Sequence, residues 1–476
     1  MATVAQIKSF VNDIAEEALG EKAIRVKTTT DLVSLGDAVY STADNKDAFW
    51  GVAADRIGRV AIAIREYTAQ ARSVRKDEFT WGLWYQKWRF ERQKAVDSPT
   101  WKVNAETKQE NPYDLTTSTK ISVKYYGGKI PAFSYEDVIP EVQMRSAFTS
   151  FEAFGQLISG IYMNISNAME VAKENLDNTA IATNIALVLK NGKAAQMRDL
   201  MYEYNKARGN TGANRVKRLD AMILADFLKY AGREIRTMTK VFPKMSTKYN
   251  VEGLDRHTSA DKMVVEILEQ FASATATYLE SDTYHKELVA LPRYEEVVYW
   301  QGDGVEAPTD NFDEASKIYI KNAAFKLNDD DTDTVQADGV ICFIHDVDSA
   351  SSIMHQEYSW SEINKRDRVT NFGMQAEQEY MVAADENAVV FFMSDNFVEL
   401  DHHTASVTAA AGASHTASLT ATVPAGVTVT WSTSDEEKAT VSNGTVTGVA
   451  AGTAVITASY KVNGYEYKDV CTVTVS

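Results

Sequence analysis

Asp329, Asp331 and Asp333 stand at alternate positions, the spacing at which a calcium loop presents its first carboxylates. Such a loop next needs a glycine and, six residues later, a bidentate glutamate. The chain has Thr334 and Val340 there, so a solvated acidic turn is expected instead. Gly209-Asn210-Thr211-Gly212 precedes Arg215 and Lys217 but lacks the Gly-Lys-Ser/Thr ending with which a P-loop holds phosphate, and reads as a surface turn. His402-His403 has no partner at metal-ligand spacing, and reads as a linker. His345 and His355 have no serine or cysteine in a recognisable nucleophile setting. Cys342 and Cys471 form neither a disulfide framework nor a metal knuckle, which fits a reducing cytoplasm. No catalytic, cofactor-binding or metal site is expected.

The unusual chemistry lies in a run of aromatic and basic residues. Phe79, Trp81, Trp84, Tyr85, Trp88 and Phe90 are interleaved with or flanked by Arg72, Arg75, Lys76, Arg89, Arg92 and Lys94. The tryptophans would also fit one face of a helix. A strand is preferred, because aromatics favour strands and an alternating partner follows. There Ile121, Val123 and Tyr125 face one way and Lys120, Ser122 and Lys124 the other. An isolated hairpin cannot bury so many aromatics by itself. It must fold back on its own domain or lie on a neighbouring subunit, and the second reading makes Trp81, Trp84, Trp88, Phe90, Ile121, Val123 and Tyr125 contact residues.

A chain of 476 residues, 45% hydrophobic and 24% charged, is long enough for about three globular domains. Its net charge of −17 excludes a protein that coats nucleic acid through its overall charge. It would repel DNA at long range, which matters for a protein that encloses DNA rather than binds it. Met1 to Gly20 has no apolar stretch of the kind a signal peptide carries, and no apolar run is long enough to span a membrane.

The elements that would position these residues can be read in order. Residues 1–50 read as a short helix, with Val4, Ile7, Phe10, Val11 and Ile14 at helical steps, followed by a polar, loosely structured arm. A further helical stretch holds Val52, Ile57, Val60, Ile64 and Tyr67. From Ser150 to Lys190 apolar residues such as Phe154, Ile158, Ile161, Ile165, Met169 and Leu176 recur every three or four positions. At ~1.5 Å per residue such a helix is about 60 Å long, with Asp177-Asn178-Thr179 as a candidate kink. Helices are expected over 219–230 and 264–279, with a loop over 237–261 between them. Strands are expected over 296–300, 317–320, 340–344 and 388–392. Past Asp401 the composition turns to Ala, Thr, Val, Ser and Gly in short alternating runs with Asn443-Gly444 and Asn463-Gly464 turns, the pattern of a small all-β sandwich with Trp431 as its core aromatic.

Two resemblances follow from these residues. Val429-Thr430-Trp431-Ser432-Thr433-Ser434-Asp435, the run Gly444 to Ala454, and Cys471-Thr472-Val473-Thr474-Val475 resemble a bacterial Ig-like domain of group two over 403–476. The preceding residues resemble the major capsid proteins of tailed phages, the Hong Kong phage type of fold, and within them the phi-twenty-nine-like podoviruses. That likeness is carried by Asp55-Arg56-Ile57-Gly58, the 150–190 helix, the 371–392 return and the order of the elements. It implies an α+β chain with an N-terminal arm (1–50) and a capsid fold (51–400). Within the capsid fold come an extended hairpin loop (about 79–128), a spine helix (about 150–190), a central axial domain (about 215–365) and a returning strand (about 369–395).

The function so implied is self-assembly into the pentamers and hexamers of an icosahedral head. The arm and hairpin would lap neighbouring subunits, and the Ig-like domain would project outside as an independent module. Implied partners are a separate scaffolding protein, since no long charged segment precedes the arm, a portal protein at one vertex, and packaged double-stranded DNA without sequence-specific binding. Membrane association and enzymatic activity are not expected, and assembly would take place in the host cytoplasm. The alternative from another class is a bacterial surface adhesin with a terminal Ig-like domain.

Overall fold

The structure, a computed structural model, describes residues 4–20, 23–42, 44–52, 72–76, 84–90, 121–127, 132–140, 151–280, 294–301, 311–321, 334–364, 366–410, 412 and 414–476. The chain forms two compact units, Met1–Asp177 with Ser351–Met381, and Asn178–Ala350 with Val382–Ser476. The division falls inside the longest helix, Phe151–Asn191, which is unbroken over 41 residues.

In the first unit a four-stranded sheet has the order Arg75–Lys76, Ala350–Asn364, Val369–Val382, Ala132–Pro140. Along Val369–Val382 the even positions from Thr370 to Gln378 are buried, the period-two signature of a sheet with one covered face. Its odd position Gly373 is also buried, because the Trp360 ring lies where a β-carbon would stand. The cover is the N-terminal segment. Val11 and Ile14 of Val4–Leu19, Leu32, Leu35 and Val39 of Thr29–Val39, and Phe49 and Trp50 of helical 44–52 share one core with Ile139, Phe372 and Met374. The loosely structured arm expected over 1–50 is therefore a set of helices packed on their own chain. Two local devices hold it: Thr28 and Asp31 form a capping box, and the Asn12 side chain bonds both the N–H and the carbonyl of Val26. The helical reading of Ile57 to Tyr67 lies outside the described residues.

The long helix follows its expected pattern. Ile161, Ile165 and Met169 enter the same core at four-residue steps. The helix runs through the candidate kink residues Asp177-Asn178-Thr179 without a break in its helical assignment. The Asp177 carboxylate bonds Arg75 at 2.7 Å and takes the Ser352 hydroxyl, so it has no need to break into its own backbone. Burial raises the Asp177 carboxyl above its ordinary range against those two bonds.

The second unit is built on a five-stranded sheet ordered Met197–Asp199, Ala388–Phe392, Val340–Asp346, Met263–Leu268, Glu295–Val297. Ala180 to Leu189 of the long helix is buried at every position; the stretch is apolar except for Thr183 and Asn184, and the Asn184 amide donates to the buried Ser349 hydroxyl. Helices Leu200–Arg208, Ala225–Val241 and Glu269–Glu280 pack on one sheet face through Tyr204, Phe227, Ile235 and Phe271. The expected helix from Val264 begins instead as the strand Met263–Leu268, since a short β-branched run beside two partner strands is best buried in the sheet. The expected loop from Thr237 begins only after Val241. The single return over 369–395 is two strands, Val369–Val382 in the first unit's sheet and Ala388–Phe392 in the second's.

The C-terminal strands form sheets of four (Thr404–Val407, Tyr465–Val475, Gly452–Val462, Thr430–Thr433) and three (Thr416–Ser418, Thr445–Gly448, Ala439–Ser442) strands. Pairing starts before residue 403, because Glu399–Leu400 pairs with Ala421–Thr422 and Leu400 is in the core. Asn463 and Gly464 both take positive φ, the two-residue turn that suits the twist of the long hairpin they join. Val446, Ile456, Ala458, Cys471 and Val473 fill the centre. Trp431 is only half-buried at the margin, because Thr430–Thr433 is an edge strand.

Candidate assembly surfaces

Trp84–Phe90 and Ile121–Gly127 pair antiparallel as a separate two-stranded ribbon, with Trp88 opposite Val123 and Phe90 opposite Ile121. Opposite residues share a face. Gln86, Trp88, Phe90, Ile121 and Val123 therefore make one face, and Lys87, Arg89, Ser122 and Lys124 the other. The orientation is the reverse of a soluble hairpin. Trp88, Phe90 and Ile121 are 59%, 62% and 51% exposed, whereas Arg89 is 8% exposed and Lys87 and Lys124 are half-buried. Of the other expected contact residues, Trp81 lies outside the described residues, and for Trp84 and Tyr125 only the backbone pairing is described.

A second aromatic surface was not legible in the sequence. Asp199 ends a short strand and caps the helix Leu200–Arg208, accepting from the N–H groups of Met201 and Tyr202. Its other oxygen takes the Ser394 hydroxyl and, at 2.7 Å, the hydroxyl of Tyr467 from the C-terminal sandwich. Tyr467 stacks on Tyr460 at 5.2 Å and meets the edge of Tyr202, also at 5.2 Å, while Tyr465 meets Phe392 at 5.5 Å. The Tyr202 hydroxyl donates to the Lys468 carbonyl at 2.6 Å and accepts from the Lys468 N–H at 3.1 Å, like one more rung of a ladder. At the hairpin tip, Asn463 donates to the Gln336 carbonyl, and Gly464 lies so close to the Leu189 carbonyl that a β-carbon would stand 2.7 Å from it. Burial pushes the Asp199 carboxyl up to about 6 against the bonds from Ser394 and Tyr467. Burial likewise pushes Tyr460 up to about 12 and raises Tyr465 and Tyr467 further. The sandwich is thus docked on residues of its own compact unit.

The residues first considered for chemistry are dispersed. Asp329, Asp331 and Asp333 lie outside the described residues. Gly209 and Gly212 both take positive φ at an exposed turn, where the Gly212 N–H donates to Glu399. His403 pairs with Asp469 of the sandwich at 2.9 Å, so it is bound into that domain and is not free linker. His345 does have a serine: its Nδ1 is 2.9 Å from Ser349 Oγ, and its Nε2 is 3.9 Å from Glu266. Ser349 also accepts from Asn184, and all four residues are buried, so this network packs the interior and offers no approach to a substrate. Among the described residues, no group of His, Cys, Asp and Glu could hold a metal ion, and no helix is long and apolar enough to cross a membrane.

Comparison with known proteins gives a family for each part of the chain. The model of a family described as Phi29-like phage major capsid protein matches residues 11–392, and that of the bacterial Ig-like domain (group 2) matches residues 396–470. No curated protein sequence matches the chain. Solved structures similar to it include the capsid of Staphylococcus phage Andhra (9% identity, 70% of this chain and 86% of that chain, TM-score 0.41). Others are that of the head fiber and inner core protein of bacteriophage P68 (10%, 69% and 86%, 0.43) and the capsid of the cyanophage P-SCSP1u (9%, 70% and 90%, 0.37). The family match does not favour the surface-adhesin alternative. Covering more than half of the chain, it establishes that this protein belongs to the Phi29-like phage major capsid protein family and carries a group 2 bacterial Ig-like domain at residues 396–470.

Proposed function

We propose that this subunit forms the wall of an icosahedral head as pentamers and hexamers, with the ribbon laid on a neighbouring subunit. The observation that carries this reading is the outward-turned face of Trp88, Phe90 and Ile121. Covering a large aromatic is worth ~1.5–3 kcal/mol, and contiguous exposed apolar surface of this kind marks a contact site. The role is mechanical and no catalysis is assigned to it. A separate scaffolding protein sets the curvature, a portal occupies one vertex, and double-stranded DNA is held inside without sequence reading. The net charge of −17 supports the last point, because an acidic wall does not bind its contents through its overall charge. Assembly takes place in the host cytoplasm before the subunit becomes part of the virion.

The test mixes purified subunit with scaffold candidates and follows particles by negative-stain microscopy and sedimentation. Wild type is expected to give closed shells. Trp88→Ala is expected to keep the circular dichroism of the wild-type subunit and to lose particle formation. A Trp88→Ala subunit that unfolds would instead assign the ribbon to its own core.

A further inference from the structure

We propose that the Ig-like domain is held to its own wall domain by a proton-responsive latch centred on Asp199, closed more firmly in mildly acid solution than at neutral pH. The geometry comes first. Asp199 is fully buried at the meeting of three segments and takes donors from each: Met201 and Tyr202 N–H from its own helix, the Ser394 hydroxyl and N–H from the connector, and the Tyr467 hydroxyl from the sandwich. The connector is fixed to the same point, since the Phe397 N–H donates to Tyr460 and the Asn396 amide reaches Tyr467. Separating the domains would give Asp199 to water.

Among the described residues no cation compensates the buried carboxylate. Asp199 has no ion pair among them, and the neighbouring positive groups are engaged elsewhere. Arg198 bonds Glu203 and Glu234, Arg215 bonds Glu399 over the Phe397 ring, and Lys206 donates to the Lys468 carbonyl. The other groups around it are the phenols of Tyr202, Tyr460, Tyr465 and Tyr467, the last three raised by burial, and Glu203, which lies 3.5 Å from the Tyr465 hydroxyl.

The sign follows from this environment. Desolvation holds the closed-state carboxyl up at about 6; opened to water it falls back to its ordinary value of 3.8 or lower, since the cap bonds from Met201 and Tyr202 belong to its own helix and stay. The closed form therefore binds a proton that the open form releases, and closure weakens as pH rises from about 4 to about 6, then levels off. Between pH 5 and pH 7.5 the closing equilibrium should change about tenfold.

Hydrogen exchange of the full-length, unassembled subunit, corrected for intrinsic rates, tests this directly on peptides covering 199–206 and 465–471. Wild type should show about tenfold greater protection at pH 5 than at pH 7.5, and Asp199→Asn should show the same protection at both. His403, paired with Asp469 on the sandwich but not in contact with Asp199, supplies the control. His403→Gln should leave the tenfold ratio in place. Equal protection of wild type at the two pH values overturns the latch whether or not the variants fold. So does an Asp199→Asn protein that keeps the ratio, or a His403→Gln protein that loses it.

Discussion

The ribbon and the dock of the Ig-like domain use the same kind of residue to opposite ends. In the ribbon, Trp88 and Phe90 turn outward, while on the opposite face Arg89 is buried and Lys87 and Lys124 are half-buried. In the dock, Tyr467 is 1% exposed, its ring stacked on Tyr460 and its hydroxyl on Asp199. The residue types match the difference. A tyrosine carries a polar tip that must find a partner once buried, so a tyrosine cluster is built where the partner already exists in the same chain. Phenylalanine asks only for area, and tryptophan for area and one acceptor for its indole N–H, which the proposed neighbouring subunit would supply. One aromatic surface is satisfied within the chain; the other is exposed in the single subunit.

That contrast can be broken at several points. The largest effect is expected from deleting residues 396–476. This exposes Tyr202 and Phe392, and at ~1.5–3 kcal/mol per large side chain the wall domain should lose several kcal/mol and bind a hydrophobic dye. A truncated subunit that melts like the full chain would favour the independent projection. Ile161→Asp places a charge in the core shared by the N-terminal helices and the long helix, and should cost several kcal/mol and give insoluble protein. Soluble, helical Ile161→Asp protein would mean that the core is not closed there. Tyr467→Ala should cost about 3–5 kcal/mol in chemical denaturation. Tyr467→Phe keeps the ring and loses only a bond to a carboxylate, roughly 1.5–3 kcal/mol. If the two variants were equally destabilised, the hydroxyl would be the whole contact and the stacked rings incidental. Trp88→Ala should change subunit stability by no more than ~0.5 kcal/mol, because its side chain is mostly in water before assembly. A loss of 2 kcal/mol or more on this scale would place Trp88 in its own domain's core.

The sequence was legible where one period governs a long stretch. The four-residue recurrence of Ile161, Ile165 and Met169 marks the long helix, and the alternation at Ile121 and Val123 marks a strand. The short buried run Ala388–Phe392 was also visible. It was not legible where local pattern and tertiary partner disagree. Val264 to Leu268 reads into the helix that follows it, and only the neighbouring strands make it part of a sheet. Residues 1–50 look polar because each of their helices has a narrow apolar stripe, and that stripe becomes meaningful only opposite Phe372 and Met374. The dock was hidden for a third reason. Asp199 and Tyr467 are 268 positions apart, and neither is unusual in its own neighbourhood.

That separation has a consequence in time. Tyr465–Val475 is paired on both sides, parallel with Thr404–Val407 and antiparallel with Gly452–Val462, so the four-stranded sheet cannot close before Val475 has been synthesised. The wall domain is therefore made with its Tyr202 and Phe392 surface open, and contacts of such long sequence separation form slowly. During that interval a nascent subunit displays both aromatic surfaces at once, and only the ribbon stays exposed after the sandwich has seated. With the ribbon as the assembly contact proposed above, the order of closure acts as a clock for assembly. In refolding followed by pulsed exchange, protection of 465–471 should lag behind that of 181–189, and simultaneous protection would show that the sandwich seats as the core forms.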